Sequence, residues 1–225
     1  MSSNARLILQ PEVIAETIKS RKTLKVIGDH TQPARFDPNS AERNDGLVKE
    51  ALAVAGYAPF HFNRGVDDIA EPWRAHVLTH VQCQALAAAL PNWFERTTPE
   101  SKIVQMLYAS GALVLVTWLP EQVDADARLP RHDHLDSEHL AATAAMTQNL
   151  LLMLTAQGMG TYWSSGGILS TRPCLDQLGI SSGERLLAAV FIEYPETLKD
   201  ERERKPGANR ERRCTDWIQT LTVTE

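Results

Sequence analysis

Gly158-Met159-Gly160-Thr161-Tyr162-Trp163-Ser164-Ser165-Gly166-Gly167 is the stretch whose reading decides the fold. A long apolar helix runs into it and a loop-like composition follows. Four glycines in ten residues relax the backbone, so main-chain N–H groups can approach a flat ligand closely. Trp163 sets an aromatic surface beside them. The plainer alternative is a glycine C-cap that merely ends the helix. The segments on either side carry the choice between the two.

Upstream, residues 137–158 read as the longest helix, with Leu140, Ala144, Asn149, Leu151 and Leu154 among small residues, as suits burial on more than one side. Asp136 or Ser137 would cap its start, after a polar loop over 121–136. Ala112–Trp118 is a continuous apolar run, expected as a strand buried on both faces, and Leu186–Tyr194 is a second. Residues 84–108 read as helix broken near Pro91 and Pro99. Trp73–Val81 alternates as a strand, with Trp73, Ala75, Val77, Thr79 and Val81 on one face and His76 and His80 on the other. Residues 45–56 and 11–20 complete the helices; in the first of the chain, Pro11 suits the opening turn and Val13, Ile14, Thr17 and Ile18 form an apolar stripe. Downstream, 12 of the 18 residues from Glu196 to Arg213 are charged, so this tail is expected to be a solvated arm, or through Lys205, Arg210, Arg212 and Arg213 to deliver a second phosphate clamp. Trp217–Val223 then regains β-type residues, placed to join a sheet elsewhere, including one in a second chain.

A chain of 225 residues is long enough to bury a sizeable core. Its 43% apolar and 23% charged content is that of an ordinary water-soluble protein. The net charge of −5 gives the whole molecule no electrostatic reason to seek nucleic acid or an anionic membrane. No apolar run approaches the roughly 18 residues that span a bilayer. Cys83, Cys174 and Cys214 are too few and too scattered for a disulfide framework or a Cys-x-x-Cys zinc site. With no signal-peptide layout at Met1–Arg6, the cytoplasm is the expected compartment.

Several clusters could carry chemistry. In extended backbone Arg21, Thr23 and Lys25 share one face, and two cations with a hydroxyl between them can clamp a phosphate; a solvated helix end is the competing reading. Ala58-Pro59-Phe60-His61-Phe62-Asn63 combines a fixed backbone, aromatic walls and an amide that both donates and accepts, or is a plain loop with an apolar plug. His132, His134 and His139 have some metal-ligand spacing, although their polar setting fits a helix entry equally well. Ser164 and Ser165 lack the Gly-x-Ser-x-Gly elbow, and neither a dinucleotide-binding Gly-x-Gly-x-x-Gly after a strand nor a Gly-Lys-Ser/Thr loop occurs.

Taken in order, these blocks resemble the nitroreductase family of flavoproteins. Arg21-Lys22-Thr23-Leu24-Lys25 is similar to that family's N-terminal Arg-x-Ser-x-Lys/Arg block. Ala58–Asn63 with Glu71-Pro72-Trp73 resembles its Ala-Pro-Ser-x-x-Asn-x-Gln-Pro-Trp block. Ala144–Leu150 through Gly158–Gly166 resembles its central helix and the loop over the flavin ring. Leu178-Gly179-Ile180, Gly183-Glu184 and Tyr194-Pro195 match its closing unit, and Arg210-Glu211-Arg212 its C-terminal basic pair. Three departures stand out: residues 64–70 are inserted before Glu71-Pro72-Trp73, Phe60 and His61 replace small hydroxyl residues, and Glu193 stands where glycine is common.

The resemblance implies an α+β chain with a central, mostly antiparallel sheet flanked by helices, one domain over 1–225 with 196–225 as a C-terminal arm exchanged in a homodimer. It implies bound FMN, with NAD(P)H as a transient reductant and a small electron acceptor such as a nitroaromatic or quinone, in a ping-pong cycle. No catalytic side chain and no metal are required, because the flavin carries the chemistry. Arg21, Lys22, Thr23, Lys25, Arg210 and Arg212 would hold the phosphate and ribityl chain. Pro59, Phe60, His61 and Asn63 would reach the flavin of the neighbouring subunit. Trp163, Ser164, Ser165 and Gly166 would face the ring, with the N–H of Ser165 or Gly166 toward flavin N5, and Lys102 would sit near the pyrimidine edge. The alternatives are an FMN-binding protein without turnover, for storage or sensing, and a metal-dependent hydrolase built on the three histidines.

Overall fold

The computed structural model describes residues 10–223, apart from the side chains of Ala125 and Arg210. Four strands form one antiparallel sheet in the order β2-β3-β5-β4. They are β2 (Trp73–Thr79), β3 (Ala112–Trp118), β4 (Gly160–Ser164) and β5 (Arg185–Glu193). The two apolar runs are the central pair, as their composition requires. Ala112, Val114 and Val116 of β3 and Ala188, Val190 and Ile192 of β5 face α2 (Pro38–Ala55) and α5 (Pro130–Ala156). Leu113, Leu115, Ala189 and Phe191 face α3 (His80–Trp93), α4 (Lys102–Ala109) and α6 (Arg172–Gln177). Each central strand therefore buries both faces, which leaves no room for a polar alternation. A second, two-stranded sheet pairs β1 (Leu24–Val26) with β6 (Arg204–Pro206), and α1 (Pro11–Ser20) precedes it.

Several boundaries differ from the sequence reading, each for a local reason. The helix expected over 45–56 begins at Pro38, because Asp37 accepts a hydrogen bond from Ser40 N–H at 3.0 Å and proline fits the first turn. β2 ends at Thr79 rather than Val81: Thr79 opens a capping box whose Gln82 side chain accepts from Thr79 N–H at 2.9 Å, so His80 starts α3. On β2 itself Ala75 and Val77 are exposed, since this strand is the sheet's edge.

The loop expected over 121–136 stops at Leu129, where Pro130 starts α5. Asp136 is inside that helix and caps nothing. Its carboxylate instead accepts from Glu121 N–H at 2.6 Å and from Arg128, tying the preceding loop to the helix.

The opening stretch divides into three. Gly158, at φ +76°, ends α5 with the paired bonds Gly158 N–H to Thr155 O and Met159 N–H to Leu154 O, a Schellman C-cap. Gly160–Ser164, expected as loop, is the edge strand β4, paired with β5 from Gly160 opposite Glu193 to Ser164 opposite Ala189. Gly166 and Gly167 then turn the chain with φ of +97° and +55°. At Gly166 a Cβ would lie 2.5 Å from Leu186 Cδ2, so only glycine fits both the dihedral and the space.

Candidate functional site

The N-terminal basic block is joined to the glycine-rich stretch by the backbone. Arg21 closes α1, its N–H donating to Thr17 O. Thr23 forms a parallel bridge with Thr161 of β4. One turn of pleat further, Lys25 Nζ lies 5.6 Å from the centroid of the Tyr162 ring, within cation–π range. Arg21, Lys22 and Thr23 line a cleft of about 260 Å³ with Gly207, Asn209 and Arg213 of the tail. β6 delivers these tail residues, with Leu24 opposite Pro206 and Lys25 opposite Lys205.

Lys205 lies opposite Lys25 across the β1–β6 pair. Partial burial, and then the positive charges of Lys102 and Lys205, push the Lys25 ammonium below its ordinary value. Lys102 opens α4. Ile103 beside it packs near Gly167: a Cβ on that glycine would lie 3.5 Å from Ile103 Cγ1. The basic block thus joins β4 at Thr161 and Tyr162 and the tail at Gly207, while Ile103 beside Lys102 reaches the Gly167 turn. This arrangement can hold an anion next to a flat ring, with backbone amides at one end.

The four residues singled out in the stretch itself have separate places. Trp163 packs on the α2/α5 side of the sheet, whereas Tyr162 packs on the α4 side and stacks on Phe191 at 6.2 Å. The aromatic surface on the Lys25 side is therefore Tyr162. Ser164 is buried and its Oγ accepts from Gly166 N–H at 3.1 Å. That bond occupies one of the two amides considered. Ser165 is exposed, and among the described residues its N–H has no acceptor.

Other candidates lie elsewhere in this chain. Pro59, His61 and Asn63 are exposed. Phe60 packs edge-on to Trp73 at 5.6 Å, and His61 Nδ1 is 3.6 Å from Glu138 of α5. Residues 64–70 form a small hairpin in which Val66 bridges Ile69 across Asp67 and Asp68, both with positive φ. Arg64 pins it through the carbonyls of Leu119 and Pro120, the latter at 2.7 Å. Arg212 is exposed in the turn at 210–212, where Arg213 and not Arg212 lines the cleft; the Arg210 side chain is outside the described part.

The three histidines have separate neighbours. His132 accepts from Leu129 N–H at 3.1 Å, His134 packs against Phe62, and buried His139 sits 3.1 Å from Glu121. Among the described residues no group of three or more His, Cys, Asp or Glu is arranged to hold a metal ion.

Sequence reasoning gave Tyr162 no role. Reading 160–164 as a strand would have separated Tyr162 from Trp163 by the alternation of faces. Of the tail cations, Lys205 is set opposite Lys25 by the strand register and Arg213 lines the cleft.

Residues 35–192 match the family model described as the nitroreductase family. The chain belongs to the nitroreductase family. Among its relatives is a Bacillus subtilis (strain 168) protein named "Putative NAD(P)H nitroreductase YfhC", 25% identical over 210 residues, which cover 90% of this chain and 95% of that one. The fold is that of nitroreductase structures. A nitroreductase-like family protein from Bacillus cereus superposes with a TM-score of 0.60 at 22% identity, over 91% of this chain and 96% of that one. A nitroreductase with bound FMN from Bacteroides fragilis NCTC 9343 superposes at 0.51 with 17% identity, over 94% and 98%. The family match runs over α2 to β5, whereas the Arg21–Lys25 block and the charged tail fall outside it.

Proposed function

We propose that this nitroreductase-family chain is an FMN-dependent oxidoreductase that uses NAD(P)H to reduce small electron-poor acceptors such as nitroaromatics and quinones. The observation that carries the reading is Lys25 set over the Tyr162 ring and opposite Lys205, beside the cleft lined by Arg21, Lys22, Thr23 and Arg213. The donor set suits FMN. A phosphate monoester matches the Arg21, Lys22, Thr23 and Arg213 cleft, because guanidinium, ammonium and hydroxyl groups all donate to its oxygens. Bound FMN would supply the hydride chemistry, accepting a hydride from NAD(P)H and passing it to the acceptor in two half-reactions of a ping-pong cycle.

The protein's own residues would bind and orient. The Lys25 group would stabilise negative charge at the pyrimidine edge. The Ser165 N–H, with no acceptor among the described residues, is the amide available to donate toward flavin N5. No side chain need act as acid or base. The Gly166 N–H is better suited to holding the turn through Ser164.

A homodimer accompanies this reading. Val13, Ile14 and Ile18 of α1 are exposed in the single chain, at 59%, 47% and 47%, as are Trp217 and Leu221 of the tail, at 75% and 86%. An exposed apolar stripe on a helix that packs only through its other side favours burial against a second copy. In such a dimer residues 196–225 would act as the arm of one single-domain unit, and Pro59, Phe60, His61 and Asn63 would reach the partner's flavin. Partners would be small molecules rather than nucleic acid or a membrane, and the compartment the cytoplasm. Among the described residues no helix is long and apolar enough to cross a membrane.

The test is the visible spectrum of the purified protein after FMN addition and gel filtration, followed by NADH or NADPH oxidation with a quinone. Retained flavin that NAD(P)H bleaches, with steady-state turnover, supports the proposal. Retained flavin without turnover would favour the storage or sensing reading. A protein that takes up no FMN refutes both.

A further inference from the structure

The two outer strands of the four-stranded sheet carry different chemistry. β4 bears Tyr162 and meets the basic block, whereas β2, at the opposite edge, borders a second cavity of about 460 Å³. Leu78 of β2, Leu115 of β3, Leu86 and Trp93 of α3, and Leu178 and Ile180 beyond α6 line it. Its lining residues include no Lys, Arg, Asp or Glu. An apolar cavity of roughly 300–1,000 Å³ with a few placed polar groups is the usual form of a small-molecule site.

One imidazole is fixed at this cavity by buried partners. His76 lines it from β2, and His76 Nε2 lies 2.6 Å from Glu184 Oε2. The same oxygen accepts from the Thr117 hydroxyl. Thr117 is fully buried, and the Glu184 side chain is 8% exposed. Arg172 holds the segment that carries Ile180 and Glu184, donating to Ile180 O at 2.6 Å, Ser181 O at 3.0 Å and Glu184 O at 3.3 Å. A carboxylate only accepts, so His76 Nε2 carries the proton in this bond, and Nδ1 of the neutral ring keeps a lone pair. The His76 side chain is 33% exposed, and among the described residues its Nδ1 has no hydrogen-bond partner. As a tie between β2 and the start of β5 the pair is a poor source of stability, since apolar replacements usually serve as well. What it does fix is one hydrogen-bond acceptor at the end of an apolar cavity.

We propose that this cavity is a second binding site, for a small planar aromatic alcohol whose hydroxyl donates to His76 Nδ1 while its rings lie against Trp93 and the leucines. The occupant follows from the lining. With no charged side chain there, an ion would lose its water without compensation. A purely apolar molecule would leave the Nδ1 lone pair covered and without a donor. Trp93 offers a flat apolar face to a second ring. The site is independent of the FMN reading: it lies at the other edge of the sheet and shares no lining residue with the cleft of Arg21, Lys22 and Thr23.

Equilibrium dialysis of the full-length protein against 2-naphthol, naphthalene and 2-naphthoate, with and without FMN, tests it. One 2-naphthol should bind per chain, at least about tenfold more tightly than either comparator and equally with and without FMN. Naphthalene is the more apolar ligand and would bind better in a merely apolar groove. His76→Phe, which keeps a ring and loses the acceptor, should weaken 2-naphthol by about tenfold or more and leave naphthalene within about twofold. Ala89→Phe, which fills the cavity, should abolish binding of both; if it does not fold, Ala85→Phe, at an exposed position of the lining, takes its place. Thermal denaturation shows which variants are folded. The inference is overturned if wild type binds no 2-naphthol, or binds naphthalene or 2-naphthoate as tightly. It is equally overturned if FMN displaces the alcohol, which would place it in the cofactor site, or if binding appears only after removal of residues 214–225, which would show that the tail fills the cavity.

Discussion

Replacing Gly111 by alanine gives a sharp test of the packing described above. Gly111 precedes β3, and its N–H donates to Ile192 O at 2.8 Å, so its backbone cannot shift freely. An alanine Cβ there would lie 2.5, 2.6 and 2.7 Å from Cγ, Cδ1 and Cδ2 of Tyr194. Ordinary carbon contacts are about 3.5–4.0 Å, so the ring would have to retreat by roughly 1 Å. It has nowhere to go. Tyr194 is fully buried, packs against Phe36 at 5.0 Å and donates its hydroxyl to Asp45. Overpacking of this kind costs about 1–3 kcal/mol. If the hydroxyl loses its carboxylate, a further ~1.5–3 kcal/mol goes with it. Alanine's smaller unfolded-state entropy returns about 0.4–1 kcal/mol. The net expectation is a loss of roughly 2–5 kcal/mol, a large share of the ~5–15 kcal/mol typical of a folded protein.

Urea denaturation followed by far-ultraviolet circular dichroism measures it. Gly46→Ala is the paired control. Gly46 lies inside α2 with nothing within 4 Å of the added methyl, so that change should stabilise by about 0.5–1 kcal/mol. The two substitutions are chemically identical and should have opposite signs. A Gly111→Ala protein within about 0.5 kcal/mol of wild type would refute the placement of Tyr194.

Other outcomes follow from the same geometry. Tyr162→Leu removes the ring beneath Lys25 and its stack on Phe191; it should cost about 1–2 kcal/mol of stability and weaken FMN binding, both read by titration and denaturation, and Trp163→Leu should affect stability more than FMN binding. The Asp37 carboxyl is held below its ordinary value by hydrogen bonds from the side chain and backbone of Ser40. A carboxyl with a depressed folded pKa stabilises above its unfolded value of 3.8 and loses that contribution as pH falls through the folded value. Asp37→Ala should therefore lower the melting temperature at pH 7 and make no difference well below pH 3. Removal of residues 214–225, which takes away Trp217 and Leu221, should shift the protein toward monomer in sedimentation velocity; an unchanged dimer would sink the proposed role of the arm.

Which parts of this architecture could be read ahead of the structure depended on how locally each was encoded. Ala112–Trp118 and Leu186–Tyr194 were legible because a strand buried on both faces must be apolar at every position. That α5 is the longest helix was legible because few alternatives accommodate so many alanines and leucines. Starts were harder: Asp37-Pro38 and Leu129-Pro130 carry cap and first-turn signals, yet the apolar periodicity begins a turn or more later. β4 was missed because glycines at 158, 160, 166 and 167 resemble loop, and an edge strand of five residues leaves little pattern to detect.

By itself the sequence determined the helix and strand types of the core, the basic block Arg21–Lys25 and the glycine-rich turn at 166–167, because each depends on neighbours within a few residues. Only the tertiary structure decided that Tyr162 rather than Trp163 lies beneath Lys25, since that depends on which face of β4 each helix layer covers. It alone brought Lys102 and Lys205, 77 and 180 residues away along the chain, to the same ammonium. Charge at a point is a sum over space, and strand register, not sequence separation, sets which charges enter that sum.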